Sequence, residues 1–162
     1  MIDMSRRAYN DVLHERIVGR LELNHHRPLM NVNERELIER VVGAAYEVSN
    51  TLGCGFLEKI YERAMIKELK LRGVPARAQV SYAVMYKDQL VGEYFADLVV
   101  ENKLVVELKC VERFTNDQLA QVLNYLKASK LPAALWINFQ HAKVAWRVIH
   151  VHSRSLTANS PV

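Results

Sequence analysis

The sequence predicts an α/β domain, a mixed sheet flanked by helices, and three observations predict it. Apolar residues recur at helical spacing as far as Gly73, switch to strand-like runs between residues 77 and 110, and return to helical spacing after Thr115. The resulting order is two helices, three strands, a helix and two strands, which indicates a mixed sheet with helices against it. At 162 residues the chain supports one hydrophobic core and is too short for two ordinary domains. Any active site is therefore assembled within that single fold or across a homodimer.

Residues 1–32 form an N-terminal extension, with apolar residues scattered at Val12, Leu13, Ile17 and Val18 and a break at Pro28. A short helix fits there, and the adjacent His25 and His26, lacking a partnering carboxylate pattern, read as a solvated loop. The domain proper spans 33–152. Asn33 with Glu36 resembles a capping box, and Leu37, Val41, Ala45, Val48 and Leu52 trace the apolar stripe of a first helix that ends at Gly53. Beyond the Gly53-Cys54-Gly55 break, Leu57, Tyr61, Ala64 and Met65 mark one face of a second helix that stops at Gly73, with Pro75 just past it.

The runs Val80 to Tyr86, Leu90 to Val100 and Leu104 to Cys110 are rich in β-formers and separated by Lys87-Asp88-Gln89 and Glu101-Asn102-Lys103, which predicts a three-stranded antiparallel meander. Thr115 with Gln118 opens a third helix striped by Leu119, Val122, Leu123 and Leu126, with Pro132 beyond its end. Ala133 to Phe139 and Lys143 to Val151 supply two more strands. The polar tail, 153–162, is expected to fray.

Composition narrows the class. Half the residues are hydrophobic and a quarter charged, as in globular proteins rather than disordered or fibrous ones. No apolar run approaches the roughly 20 residues a membrane helix needs, and the N-terminus lacks a signal-peptide apolar region, so a cytoplasmic location and no membrane partner are expected. Cys54 and Cys110 stand in no zinc or disulfide spacing. The net charge of +4 helps a phosphate-bearing partner approach without identifying one.

The chemistry concentrates in Phe95-Ala96-Asp97-Leu98-Val99-Val100 and Leu104-Val105-Val106-Glu107-Leu108-Lys109, where two acids and a lysine interrupt apolar strands. If Glu101-Asn102-Lys103 form a three-residue hairpin loop, with Asn able to take the left-handed position, Val100 pairs with Leu104 and Asp97 falls opposite Glu107. Lys109 then shares their face. An even loop would send the two carboxylates to opposite faces, because side chains alternate with period two. Two carboxylates so close repel and are costly to bury ionised, so they call for a cation between them, and hard oxygen ligands favour magnesium or manganese over zinc. The rival interpretation is an ordinary half-exposed strand with Glu and Lys on its wet face.

Asp97 followed by Glu107-Leu108-Lys109 resembles the PD-(D/E)xK nuclease signature, and Gly55-Phe56-Leu57-Glu58-Lys59-Ile60-Tyr61 resembles the motif of the GxxExxY proteins of that superfamily. Similar pieces are Leu52-Gly53-Cys54-Gly55, Ala120-Gln121 with Asn124-Tyr125-Leu126, and Ile137-Asn138-Phe139, so that the likeness covers roughly Asn33 to Val151. Ala96 stands where the superfamily's proline would be, and Cys54 where the GxxExxY pattern has proline. The resemblance implies a restriction-endonuclease-like fold and a nuclease acting on DNA. It implies magnesium or manganese held by Asp97, Glu107 and the Leu108 carbonyl, with Glu58 supporting the metal or its water shell and Lys109 assisting the attacking water. Gln121 and Tyr125 match the Gln-x-x-x-Tyr of nucleases of the RecB type, which would position DNA or the water. The competing function is a non-catalytic nucleic-acid-binding or interaction module on the same fold, and divalent-metal binding discriminates the two. His141, His150 and His152 read as surface residues, and Trp136 and Trp146 as core.

Overall fold

The apolar stripe that begins near Leu37 does fold as a helix, α1 (Val32–Leu52), in a computed structural model that describes residues 32–151. The expectations for residues 1–31, including His25 and His26, and for His152 and the tail lie outside the described residues. Asn33 already sits inside the first turn of α1, so the capping box expected there does not mark the helix start. Leu37, Ile38, Val41, Val42, Ala44, Ala45 and Val48 are all buried, a wider stripe than the sequence spacing indicated. The second helix, α2 (Glu58–Leu71), buries Tyr61, Met65 and Leu69. Leu57, expected on that apolar face, is instead the N-cap residue and is 81% exposed. After α2 the chain turns at Gly73, whose φ of +66° suits a residue without a Cβ.

Five strands follow in one sheet, ordered as they occur in the chain: β1 (Ala76–Tyr86), β2 (Gln89–Val100), β3 (Leu104–Lys109), β4 (Ala133–Asn138) and β5 (Ala145–His150). The meander β1-β2-β3 is antiparallel, β3 pairs with β4 in parallel, and β5 returns antiparallel to β4. The parallel step requires a crossover, supplied by α3 (Asn116–Ser129). Thr115 caps it with the capping box expected from sequence: its hydroxyl accepts from the Gln118 N–H, and the Gln118 side chain accepts from the Thr115 N–H. Strand β1 starts earlier than expected because Ala76, Arg77 and Ala78, weak β-formers alone, pair with Val100, Val99 and Leu98. The β1–β2 turn is two residues rather than three. Lys87 and Asp88 both take positive φ and Gln89 joins the strand opposite Tyr86.

The sheet separates two cores. Leu98, Val100, Leu104, Val106, Leu108, Leu135 and Ile137 face α1 and α2, while Val99, Val105, Ala134 and Trp136 face α3 through Val122 and Leu126. Trp136 and Trp146 are both buried, as expected from their apolar strands. No described helix is long and apolar enough to cross a membrane.

Candidate active site and metal centre

The hairpin register decides whether a site exists. Val100 pairs with Leu104, Val99 with Val105 and Leu98 with Val106; the ladder ends there, and Asp97 and Glu107 are the next residues along the two strands in that register. The loop has three residues, and Glu101 as well as Asn102 takes a left-handed φ. Glu101 is held there by its N–H, which donates to the Pro75 carbonyl at 2.9 Å, and by its carboxylate, 3.2 Å from Arg40.

Asp97 reaches across to β3, where its Oδ2 accepts the Leu108 N–H at 2.9 Å. Glu107 is 3% exposed, and its Oε2 lies 3.6 Å from the Lys109 Nζ. Its other oxygen, Oε1, is buried without a hydrogen-bond partner. Burial, with the neighbouring Asp97 charge adding to it and Lys109 opposing, pushes the Glu107 carboxyl up to about 8. Asp97 is raised as well, chiefly by burial, while the Leu108 N–H and Lys109 hold it back and Glu58 and Glu62 add to the rise. Two carboxyls side by side, both raised chiefly by burial and one with an orphaned buried oxygen, form a site short of positive charge.

Glu58 comes in from the first turn of α2, where its Oε1 accepts the Cys110 N–H at 3.0 Å, just past Lys109. That bond ends β3 at Lys109, one residue before the run expected from sequence. Tyr61 explains how α2 is set at this place. It is fully buried, stacks on Phe139 at 4.4 Å, and its hydroxyl donates to the Gly53 carbonyl at 2.9 Å while accepting the Phe56 N–H. The residues of the Gly-x-x-Glu-x-x-Tyr stretch therefore do two jobs, Tyr61 fixing the loop and Glu58 reaching the strand. Asn138 ties the strand exit from the other side, its amide donating to the Val111 carbonyl at 2.6 Å and its oxygen accepting the Val111 N–H at 3.1 Å.

A model of the PD-(D/E)XK nuclease superfamily matches residues 35–149 of the chain. The chain belongs to that superfamily. The mixed five-stranded sheet with its three helices is consistent with the restriction-endonuclease-like fold of the superfamily. Among solved structures, the crystal structure of SSO0001 is similar at a TM-score of 0.47 and 15% identity, over 91% of this chain and 78% of that one. No curated protein matches.

Of the residues that the superfamily resemblance singled out, Asp97, Glu107, Leu108 and Lys109 lie on adjoining strands, and Glu58 beside them. Gln121 and Tyr125 lie on α3. Tyr125 is partly buried, stacks face to face on Tyr94 at 3.6 Å, and hydrogen-bonds the Gln121 side chain; its hydroxyl is raised by burial and by the charges of Glu107 and Asp97. Tyr94 in turn stacks on Tyr82 at 5.5 Å, and its buried hydroxyl, without a hydrogen-bond partner, is pushed up by burial and by Glu107. Sequence reasoning missed Tyr94, which comes opposite Tyr82 only because a bulge between Val84 and Met85 shifts the register by one residue; the two-residue turn alone would set Tyr82 against Glu93. The described histidines take no part: His141 is exposed near Glu112, and His150 bonds Glu34 at 2.8 Å.

The donor set fits a hard divalent cation. Magnesium is commonly held by one or two carboxylates with water and substrate oxygens completing the shell. Asp97 and Glu107 supply two such carboxylates, and the partnerless Oε1 of Glu107 is free to bind one. Among the described residues no group of three or more His, Cys, Asp or Glu gathers to hold a metal, and Glu58 accepts the Cys110 N–H.

Proposed function

We propose that the chain is a divalent-metal-dependent nuclease that hydrolyses phosphodiester bonds of DNA, belonging to the GxxExxY group of its superfamily. The observation that carries this reading is the acid pair: Asp97 and Glu107 on adjoining strands, just past the last paired residues, Glu107 buried with an unsatisfied oxygen, and Lys109 at 3.6 Å. A structural strand has no use for that arrangement, whose buried acids are costly without a cation.

Asp97 and Glu107 would hold magnesium or manganese, with the Leu108 carbonyl as a further ligand and Glu58 supporting the water shell. Such an ion, when bound, polarises a phosphoryl oxygen and lowers the pKa of a bound water. Lys109 orients the attacking water and stabilises charge that develops on the phosphoryl oxygens. The water loses a proton as its oxygen bonds phosphorus, and the leaving sugar oxygen takes up a proton as its own bond breaks. Gln121 and Tyr125, on the helix over the same face, position the nucleic acid or the water.

The test is a cleavage screen with magnesium and with manganese over single-stranded, duplex and branched DNA and RNA. Cleavage is expected, and Lys109→Ala should lower it at least about 100-fold while nucleic-acid affinity changes little, since the lysine acts on transition-state charge. Affinity itself should fall steeply with salt. Wild-type protein that binds DNA but cleaves nothing with either metal would replace the enzyme reading with a binding module.

A further inference from the structure

The hydrogen-bonded ladder between β1 and β2 skips one step. Ala78 pairs with Leu98 and Val80 with Ala96 in unbroken register, yet the intervening pair, Gln79 with Asp97, is not formed. Gln79 has a φ of +53°, a sparsely populated region for a residue with a Cβ and foreign to the middle of a strand. No glycine or turn requires it. At the same point the sheet's alternation breaks: Ala96 and Val99, an odd distance apart, both enter the α3-side core, and Leu98 enters the other.

The cause of the strain is visible on α2. The Gln79 amide donates to the Glu62 Oε2 at 2.5 Å, and Glu62, 5% exposed, also takes Lys59 at 2.6 Å. Glu62 stands one helical turn after Glu58, which holds the Cys110 N–H. Two glutamates on one face of α2 therefore grip the sheet on either side of the acid pair: Glu58 at the strand exit beyond Lys109, and Glu62 at the residue that would otherwise pair with Asp97.

We propose that Glu62 and Gln79 are positioning residues: their bond keeps Gln79 out of the ladder, and so frees Asp97 to reach across to the Leu108 N–H and face Glu107. This deepens the proposed metal site and rests on that reading only where metal is concerned. The alternative is that the bond merely ties α2 to β1.

Backbone amide exchange in the metal-free protein separates the two. In Gln79→Ala the Leu108 amide should lose at least tenfold in protection relative to Val106 on the same strand, because the Asp97 carboxylate no longer holds it. Gln79→Gly, which tolerates a positive φ without strain, should lose the same protection and serves if the alanine variant folds poorly. Combining Gln79→Glu with Glu62→Gln reverses donor and acceptor, and should restore Leu108 protection to within threefold of wild type. Manganese affinity by calorimetry should fall at least tenfold in Gln79→Ala and recover in the swap. Unchanged Leu108 protection in both single variants, or a swap that fails to restore it, overturns the positioning role. Wild-type protein that binds no manganese, with Leu108 still released by Gln79→Ala, leaves the positioning role standing and removes the metal reading instead.

Discussion

The two faces of the sheet are built to different standards. Under α1 and α2 the layer is broad and apolar: Leu98, Val106, Leu108, Leu135 and Ile137 pack against Ile38, Val41, Met65 and Leu69, all nearly inaccessible to solvent. Under α3 the apolar cluster is smaller and gathers three buried polar atoms without hydrogen-bond partners, the Tyr94 hydroxyl, the Glu107 Oε1 and the Trp136 Nε1. Each such atom costs stability relative to a satisfied or apolar replacement. The first face lowers the free energy of the fold. The second retains unfavourable groups that the first can offset, and those groups surround the acid pair. Stability and chemistry are thus largely divided by a single layer of strands, with Glu58 and Glu62 reaching the site from α2 as the exceptions.

The largest effects should fall on opposite sides of that division. Leu135→Ala removes a fully buried side chain from the α1–α2 face and should destabilise the protein by about 2–5 kcal/mol, leaving manganese affinity within threefold. Asp97→Ala or Glu107→Ala should do the reverse, abolishing detectable metal binding by calorimetry with a smaller change in thermal stability. If Leu135→Ala weakened metal binding as much as Asp97→Ala, the faces would be one coupled unit and the division would be wrong.

How far this division is legible in the sequence depends on the length scale of the interaction. The register that opposes Asp97 to Glu107 follows from a three-residue loop and the period of two, both local, and the Thr115–Gln118 cap is equally local. The resemblance to the GxxExxY motif marks Glu58 in advance but not what it does, because its partner is the main chain of Cys110, 52 residues away. Glu62 reads in sequence only as a like-charged neighbour of Glu58, yet it is buried and holds two partners. Nothing in the run Ala78-Gln79-Val80 announces a left-handed glutamine, since that conformation is imposed from α2. Leu57 errs the other way: it sits at the right helical spacing for the core, but the loop fixed by Tyr61 leaves it outside. Local periodicity reports which face a residue would take, and tertiary bonds decide the exceptions.

A middle-sized effect concerns the proton on Glu107. Its carboxyl, about 8 in the folded protein against 4.5 when unfolded, binds a proton more tightly in the folded state. Its contribution to stability is therefore fully present below pH 4.5 and is lost as pH rises towards and through 8. Glu107→Gln keeps the shape and removes that titration, so the variant should gain about 1–2 kcal/mol over wild type at pH 9 and little at pH 4, read by denaturant midpoints. Metal must displace the same proton, so wild-type manganese affinity should climb between pH 6 and 8 with proton release. A pH-independent stability difference between the two proteins would place the excess charge elsewhere than on Glu107.

The smallest effect tests whether the unsatisfied atoms on the α3 face are merely tolerated or used. Tyr94→Phe removes the partnerless hydroxyl and keeps the ring between Tyr82 and Tyr125, so the stacking at 5.5 and 3.6 Å survives. Deleting a buried donor that has no partner should stabilise the metal-free protein by about 1 kcal/mol, or roughly 2–4 °C in Tm for a chain of this size. The hydroxyl lies within the electrostatic reach of both Glu107 and Asp97. If it bonds the water shell of a bound ion, the stability gain should vanish or reverse in saturating manganese, because wild type then recovers a hydrogen bond that phenylalanine cannot make. Thermal melts of both proteins with and without manganese give the comparison directly. A gain of equal size in both conditions would mean that Tyr94 serves only as a stacking surface, and that the polar cost on this face is concentrated in the acid pair alone.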